Sequence, residues 1–288
     1  MTAAAPATRL VRRVPRIRRS KPMLTFCFLF LAALLVVVVA GQWLAPQDPS
    51  HQDLLATSQG PMPGHLLGTD QLGRDILSRV LAGAQSAVLG PLLIAIGAML
   101  VGTALGLLAG YRGGRTETII LRACEFLFAM PGVLVAIVVV GILGGGLQVA
   151  VAVLVVLFAP WDARLVHSVV IQQRNLPYVE AARTVGLPTW RVMAVHILPN
   201  IAPTVVANVL LDFVSAIIAV SSLAFLGLGL PTGSPDWGVM ISDNRSLLGV
   251  NSLAVIVPAV LIVLAASAMT VVGDWVYDSL ASSVAGHE

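Results

Sequence analysis

Residues 175–200 read NLPYVEAARTVGLPTWRVMAVHILPN, the longest polar interruption in the apolar second half of a 288-residue chain. Pro177 suits the first turn of a helix, where a missing N–H costs nothing; Glu180 lies near that helix's positive end, and Gly186 with Pro188 supplies a stop. The stretch thus begins with a helix of about 9 residues, roughly 13 Å long at ~1.5 Å per residue. Thr189 is placed to cap a second helix in which Trp190, Met193, Ala194 and Ile197 share a face, with Pro199 ending it. Two short helices joined by a Gly-Leu-Pro hinge are expected to lie at a membrane surface.

The membrane follows from composition. A soluble chain is about 45–50% apolar and about 25% charged; this one is 57% hydrophobic and 11% charged, with a mean hydropathy of +0.92. Apolar runs at 24–44, 86–110, 119–143, 147–166, 201–229 and 253–276 predict six transmembrane helices in an all-α membrane protein. Each is near the ~20 residues needed to cross ~30 Å of hydrocarbon. In the second run, Gly102, Gly106 and Gly110 recur every fourth residue, which predicts a close helix approach. Pro131 predicts a kink in the third.

The chain divides into a basic tail over 1–22, a first span with an external loop and amphipathic helix over 23–85, a core over 86–280, and a short tail over 281–288. The first run is longer than the ~7–15 residues of a signal-peptide core, so it reads as a retained span. Met23 stands at its mouth as an alternative translation start. In the external segment Thr69 is placed as an N-cap, Asp70–Arg74 and Asp75–Arg79 form opposite-charge pairs, and Ile76, Leu77, Val80 and Leu81 share the other face. That pattern predicts a helix lying on the bilayer.

Charge sets the orientation. With the N-terminus inside, the cytoplasmic segments hold seven basic residues of the tail plus Arg112, Arg115, Arg122, Arg164, Arg174, Arg183 and Arg191, against Arg74, Arg79 and Arg245 outside. Fourteen against three predicts N-in and C-in, and puts residues 175–200 in the cytoplasm.

Chemistry-bearing motifs are few. Cys27 and Cys124 sit in apolar runs with no CxxC spacing, and His51 and His65 fall in a solvated external loop without ligand spacing, so no metal site is expected. No GxSxG elbow occurs, and the sole lysine, Lys21, precedes Pro22, which excludes a P-loop. Arg122 and Glu125 form an expected pair on one helix face. Asp162 and Arg164 are expected to reach water from the inner end of the fourth span. Asp212, with Asn208 one turn earlier, lies deep in the fifth span; it either lines an aqueous translocation path or pairs with a neighbouring subunit.

Glu180-Ala181-Ala182, then Gly186, then His196-Ile197-Leu198-Pro199 resembles the EAA signature of ABC importer permeases. His65-Leu66-Leu67-Gly68-Thr69-Asp70 with Leu72-Gly73-Arg74-Asp75, Phe225-Leu226-Gly227-Leu228-Gly229, Asp236-Trp237-Gly238 and Gly273-Asp274 are similar to landmarks of the C-type permease of dipeptide and oligopeptide importers. The resemblance runs from about Trp43 to Leu280. It implies the ABC type I importer architecture in a bacterial inner membrane, a homologous permease as partner, two ATPase domains that hold ATP and Mg, and an external substrate-binding protein. No cofactor of the chain's own, no catalytic role and no nucleic-acid partner are implied. It also implies that Tyr178, Glu180, Ala181, Ala182, Arg183, Gly186 and Leu187 dock an ATPase, with dipeptides, oligopeptides, haem or a nickel complex as cargo.

The departures from the family are local. His196 stands where the broad consensus has isoleucine, and a frequent acid in the fifth span is replaced by Val220. Asp212 lies where glycine is expected, eight residues and about 12 Å earlier. The family's usual ending is replaced by Tyr277-Asp278-Ser279-Leu280. The residues by themselves leave open an ion-coupled carrier using Asp212 and Glu125, and a membrane hydrolase, for which no nucleophile and base are visible.

Overall fold

The computed structural model describes residues 21–285, with side-chain surroundings through residue 280. The tails 1–22 and 281–288, and the alternative start at Met23 that depends on the first of them, therefore fall largely outside the described residues. The helices are α1 (Lys21–Leu44), α2 (Ile76–Arg112), α3 (Gly114–Phe128), α4 (Gly132–Ile142), α5 (Leu147–Gln173), α6 (Pro177–Thr184), α7 (Thr189–Phe225), α8 (Trp237–Asp243) and α9 (Leu253–Ala285).

Five of these helices are long and apolar enough to cross a membrane, and α3 with α4 forms a sixth candidate bent by 84°. Packing decides that the bent pair is a span. Gly90 of α2 lies against Leu147, Gly102 against Asp162, Gly106 against Val166 and Gly110 against Val170, so α2 and α5 run parallel along their lengths. The chain between them must return across the same thickness, and only α3–α4 is available to do it. The kink expected at Pro131 is thus a sharp bend, with Pro131 standing in extended conformation before α4.

The glycine stripe is the physical basis of the α2–α5 seam. A Cβ on Gly106 would stand 2.7 Å from both the Ala163 carbonyl and Val166 Cβ, and one on Gly110 would stand 2.8 Å from Val170 Cβ. Without side chains there, the two backbones approach until dispersion contacts are made along several turns. The apolar faces left exposed, such as Phe26, Leu29, Leu35 and Val39 of α1, are what hydrocarbon rather than water would cover.

The external helix expected on the bilayer surface does not exist as a separate element. Residues 76–81 are the first turns of the 37-residue α2, and Ile76 and Val80 are buried in the main core with Trp237, Phe213 and Ile217. The cap is Asp75, which accepts from Ser78 N at 2.8 Å; Thr69 instead donates to the Ala56 carbonyl and accepts from Gln59 N. The expected pairing also changes: Asp70 accepts from Arg74 at 2.6 Å, but Arg79 turns to Asp70 at 3.5 Å rather than to Asp75.

These residues tie together two segments far apart in sequence. Arg74 and Arg79 both donate to the Gly233 carbonyl, at 3.0 and 3.1 Å, and Arg79 also reaches the Ser234 carbonyl at 3.0 Å. Asn251 donates to the carbonyls of Gln59 and Leu67, and Trp237 Nε1 to that of Val80, all at 3.0 Å. Nor is His65 simply solvated: its Nδ1 lies 3.0 Å from Asp75 Oδ1. Loop 45–75 and segment 226–252 thus form one polar knot at the end of the bundle opposite α6.

Candidate coupling surface and intramembrane carboxylate site

The quoted stretch contains one short helix and the start of a long one. α6 begins with Pro177 in its first turn, as expected, and ends where Gly186 takes φ +79. Gly186 N–H donates to Arg183 O at 2.9 Å and Leu187 N–H to Ala182 O at 3.3 Å, a Schellman closure in which the left-handed glycine satisfies the last carbonyls. The second expected helix does not stop at Pro199. It continues to Phe225 through a wider π-helical segment, Val192–Ile197. Proline lacks an N–H and crowds the carbonyl four residues earlier; the wider turn relieves this, and Asn200 Nδ2 adds a bond to the His196 carbonyl at 2.6 Å. The same widening breaks the expected apolar face: Ile197 is buried, while Trp190 and Ala194 are exposed.

α6 is mounted firmly on the bundle. Val179 and Ala182 are buried with Leu107, Val166, Val170, Val192 and Ile197, and Leu187 packs against the same cluster. Arg183 lies over the Tyr111 ring at 4.7 Å and its Nε donates to the Tyr111 hydroxyl at 3.2 Å. Tyr178 donates to Gln173 Oε1 at 2.7 Å, and burial pushes its phenol above the ordinary value, so it stays protonated. Arg174 caps α2 by donating to Gly110 O at 2.6 Å. The outward face is Glu180, Ala181, Thr184 and Val185, the last 78% exposed. Of the two alanines, Ala182 faces the bundle and Ala181 faces out.

Asp162 overturns its sequence-based placement. It does not reach water: α5 runs to Gln173, past the end of the apolar run, so Asp162 lies mid-helix and is 0% exposed. Its Oδ1 accepts from Asn208 Nδ2 at 2.9 Å, and the same nitrogen donates to Asp212 Oδ2 at 3.0 Å. The two carboxylate oxygens therefore lie within about 6 Å of each other. Two full charges at that distance repel by about 3 kcal/mol at an effective dielectric near 20, before the larger cost of desolvation. Arg164 does keep its exposure, resting over Phe128 at 4.6 Å and lying 3.7 Å from Glu125. Arg122 and Glu125 pair at 3.5 Å on the exposed face of α3. Glu117 meets His167 at 2.8 Å, a contact between α3 and α5 that the sequence reading missed.

The signal for Asp162 was present in the spacing. Ala159, Ala163, Val166 and Val170 form the stripe facing the α2 glycines. Asp162 falls on the edge of that stripe, where its Cβ meets Gly102. No group of three His, Cys, Asp or Glu side chains among the described residues is arranged to hold a metal.

An all-α bundle of apolar spans, with one end stapled by a polar knot and the other bearing an outward-facing short helix, defines the class: a multi-span membrane protein. Residues 102–286 match the family model described as binding-protein-dependent transport system inner membrane component. The glutathione transport system permease protein of Pectobacterium atrosepticum is 37% identical over 253 residues, spanning 88% of this chain and 84% of that protein. The di/tripeptide transport system permease of Pseudomonas aeruginosa is 36% identical over 258 residues, 88% of this chain and 85% of its own length. The probable D,D-dipeptide transport system permease of Escherichia coli K12 is 31% identical over 270 residues, 94% and 91% respectively. A chain of the inward-facing MetNI methionine ABC transporter superposes with a TM-score of 0.58 at 19% identity, covering 69% of this chain and 95% of that one, a likeness of fold.

The chain belongs to the family of binding-protein-dependent transport system inner membrane components: it is a multi-pass inner-membrane permease component of an ABC-type importer, with the type I fold. A stand-alone ion-coupled carrier and a hydrolase are thereby set aside.

Proposed function

We propose that this permease forms, with a homologous permease, the translocation path of an ATP-driven importer for dipeptides, oligopeptides or a related small solute such as haem or a nickel complex. An external substrate-binding protein delivers the cargo, and two ATPase domains in the cytoplasm hold ATP and Mg and supply the energy. The peptide class is supported by relatives whose names specify glutathione, di- and tripeptides, and D,D-dipeptides. Asn208 and Asp212 face the path.

One observation carries the coupling role: α6 is held by buried Val179 and Ala182 and by Arg183 on Tyr111, while Glu180, Ala181, Thr184 and Val185 stay uncovered. A rigidly mounted helix with a free outer face transmits displacement. Movement of the ATPases reaches α2 and α5 through Val179 and Ala182, and the π segment beside α6 is a natural place for α7 to yield. Coupling requires that ATPase closure favour one state of the path over the other by a difference in free energy.

The test uses Glu180→Lys and Gly186→Pro in the assembled transporter. Proline at Gly186 is incompatible with φ +79, and lysine reverses the charge on the outer face. Each is expected to lower ATPase co-purification and ATP-dependent uptake together, with all spans still inserted. Unchanged association and uptake in both variants would overturn the coupling role.

A further inference from the structure

The carboxylate cluster is built without a counter-cation. Asp162 and Asp212 share the two amide hydrogens of Asn208, and the second oxygen of Asp162 is buried with no hydrogen-bond partner. The basic residue closest in sequence, Arg164, is turned onto Phe128 and Glu125. Opposite, α2 presents Gly102 to Asp162 and carries no basic residue between Arg79 and Arg112. α9 carries no basic residue; its acids are Asp274 and Asp278, and Gly273, beside the first, packs on Leu210 and Ala207 of α7.

Asp212 opens onto a cavity of about 310 Å³ whose walls include Trp161, Leu211 and Ser215, with no basic side chain among them. Through Leu157, Phe158 and Ser215 this cavity adjoins a second, largely apolar one of about 350 Å³. An intramembrane carboxylate pair is costly unless a proton or a cation offsets it.

We infer that the Asp162–Asn208–Asp212 cluster is a cation subsite of the translocation path, taking the ammonium group of an amine-bearing solute while the solute's apolar part occupies the adjoining α5–α7 groove. Asp212 meets the ligand at the cavity wall. Asn208 holds both carboxyl groups in place, and Asp162 backs Asp212 from the α2–α5 side. The inference rests on the reading of this chain as a small-solute permease and narrows the solute class to amines.

The experiment uses the complete transporter without its binding protein, so that recognition by that protein does not enter. Alaninamide, a cation, and N-acetylalaninamide, its neutral analogue, are titrated while the fluorescence of Trp161 is taken as the difference between wild type and Trp161→Phe. A saturable response to alaninamide alone is expected, weakened at least tenfold in Asp212→Asn and kept within a few-fold in Asp212→Glu. Asp162→Asn is expected to weaken it as well.

An equal response to both probes, no response, or an unaltered response in Asp212→Asn would overturn the subsite. A response that follows pH alone would make the cluster a proton site and overturn it too. Uptake of dialanine by the transporter with its binding protein is measured in parallel. Absent uptake with an intact alaninamide signal would count against the peptide reading alone, whereas normal uptake with no signal would count against the subsite alone.

Discussion

Gly106 has no room for a methyl group, because the Ala163 carbonyl and Val166 Cβ already stand where one would go. Gly106→Val is therefore expected to lower stability by about 1–3 kcal/mol through overpacking, read as a fall in thermal midpoint of the detergent-solubilised complex. An unchanged midpoint would mean that α2 and α5 slide apart at no cost. Asp162 shows the limit of reading single residues. Its charge and its distance from the end of an apolar run pointed to water, and its neighbours on α2 and α7 put it in the core. Arg79 makes the same point: an arginine in the sequence suggests surface, yet at 1% exposure it is among the largest buried side chains, donating to three backbone carbonyls.

At the level of elements, α6 was legible because its start and stop signals are local. Pro177 and Gly186 act through their own backbone geometry, with no help from distant residues. Its outer face rests on a mount that local signals do not reveal, the Arg183–Tyr111 contact across 72 positions. Tyr111→Ala is expected to speed amide hydrogen exchange in α6 several-fold and to lower uptake per ATP hydrolysed, leaving exchange in α2 nearly unaltered. Equal exchange in α6 would show that Val179 and Ala182 suffice to hold it. Two element boundaries escaped the sequence reading for opposite reasons. Asp75 starts a helix that runs straight into the second span, and Pro199 fails to stop one because a π segment absorbs its missing donor.

For the whole molecule, the parallel contact of α2 with α5 converts a list of apolar runs into a topology. It requires α3 and α4 to cross the bilayer together despite their bend, and it places loop 45–75 and α6 at opposite ends. The arginine distribution then assigns those ends. Leu55→Cys, at a position 93% exposed, is expected to react with a membrane-impermeant maleimide on intact cells. Val185→Cys is expected to react only in inside-out vesicles, and the native Cys27 and Cys124 are buried. Reversed labelling would invert the topology.

The membrane character, the six apolar runs, the charge bias between their ends and the short helix at Pro177–Thr184 were legible in sequence alone, because hydropathy, charge and backbone-restricted residues act over a few positions each, whereas packing decided that the bent α3–α4 pair is one of the spans. The knot joining Arg74 and Arg79 to Gly233, and the meeting of Asp162 with Asp212 through Asn208, were decided only by tertiary structure. Those contacts bridge 46 to 159 positions of chain. Gly102 leaves room for the Asp162 Cβ, and Gly83, at the other end of α2, for the Pro235 carbonyl beside the knot; a glycine stripe predicts a close approach but not which partner comes close.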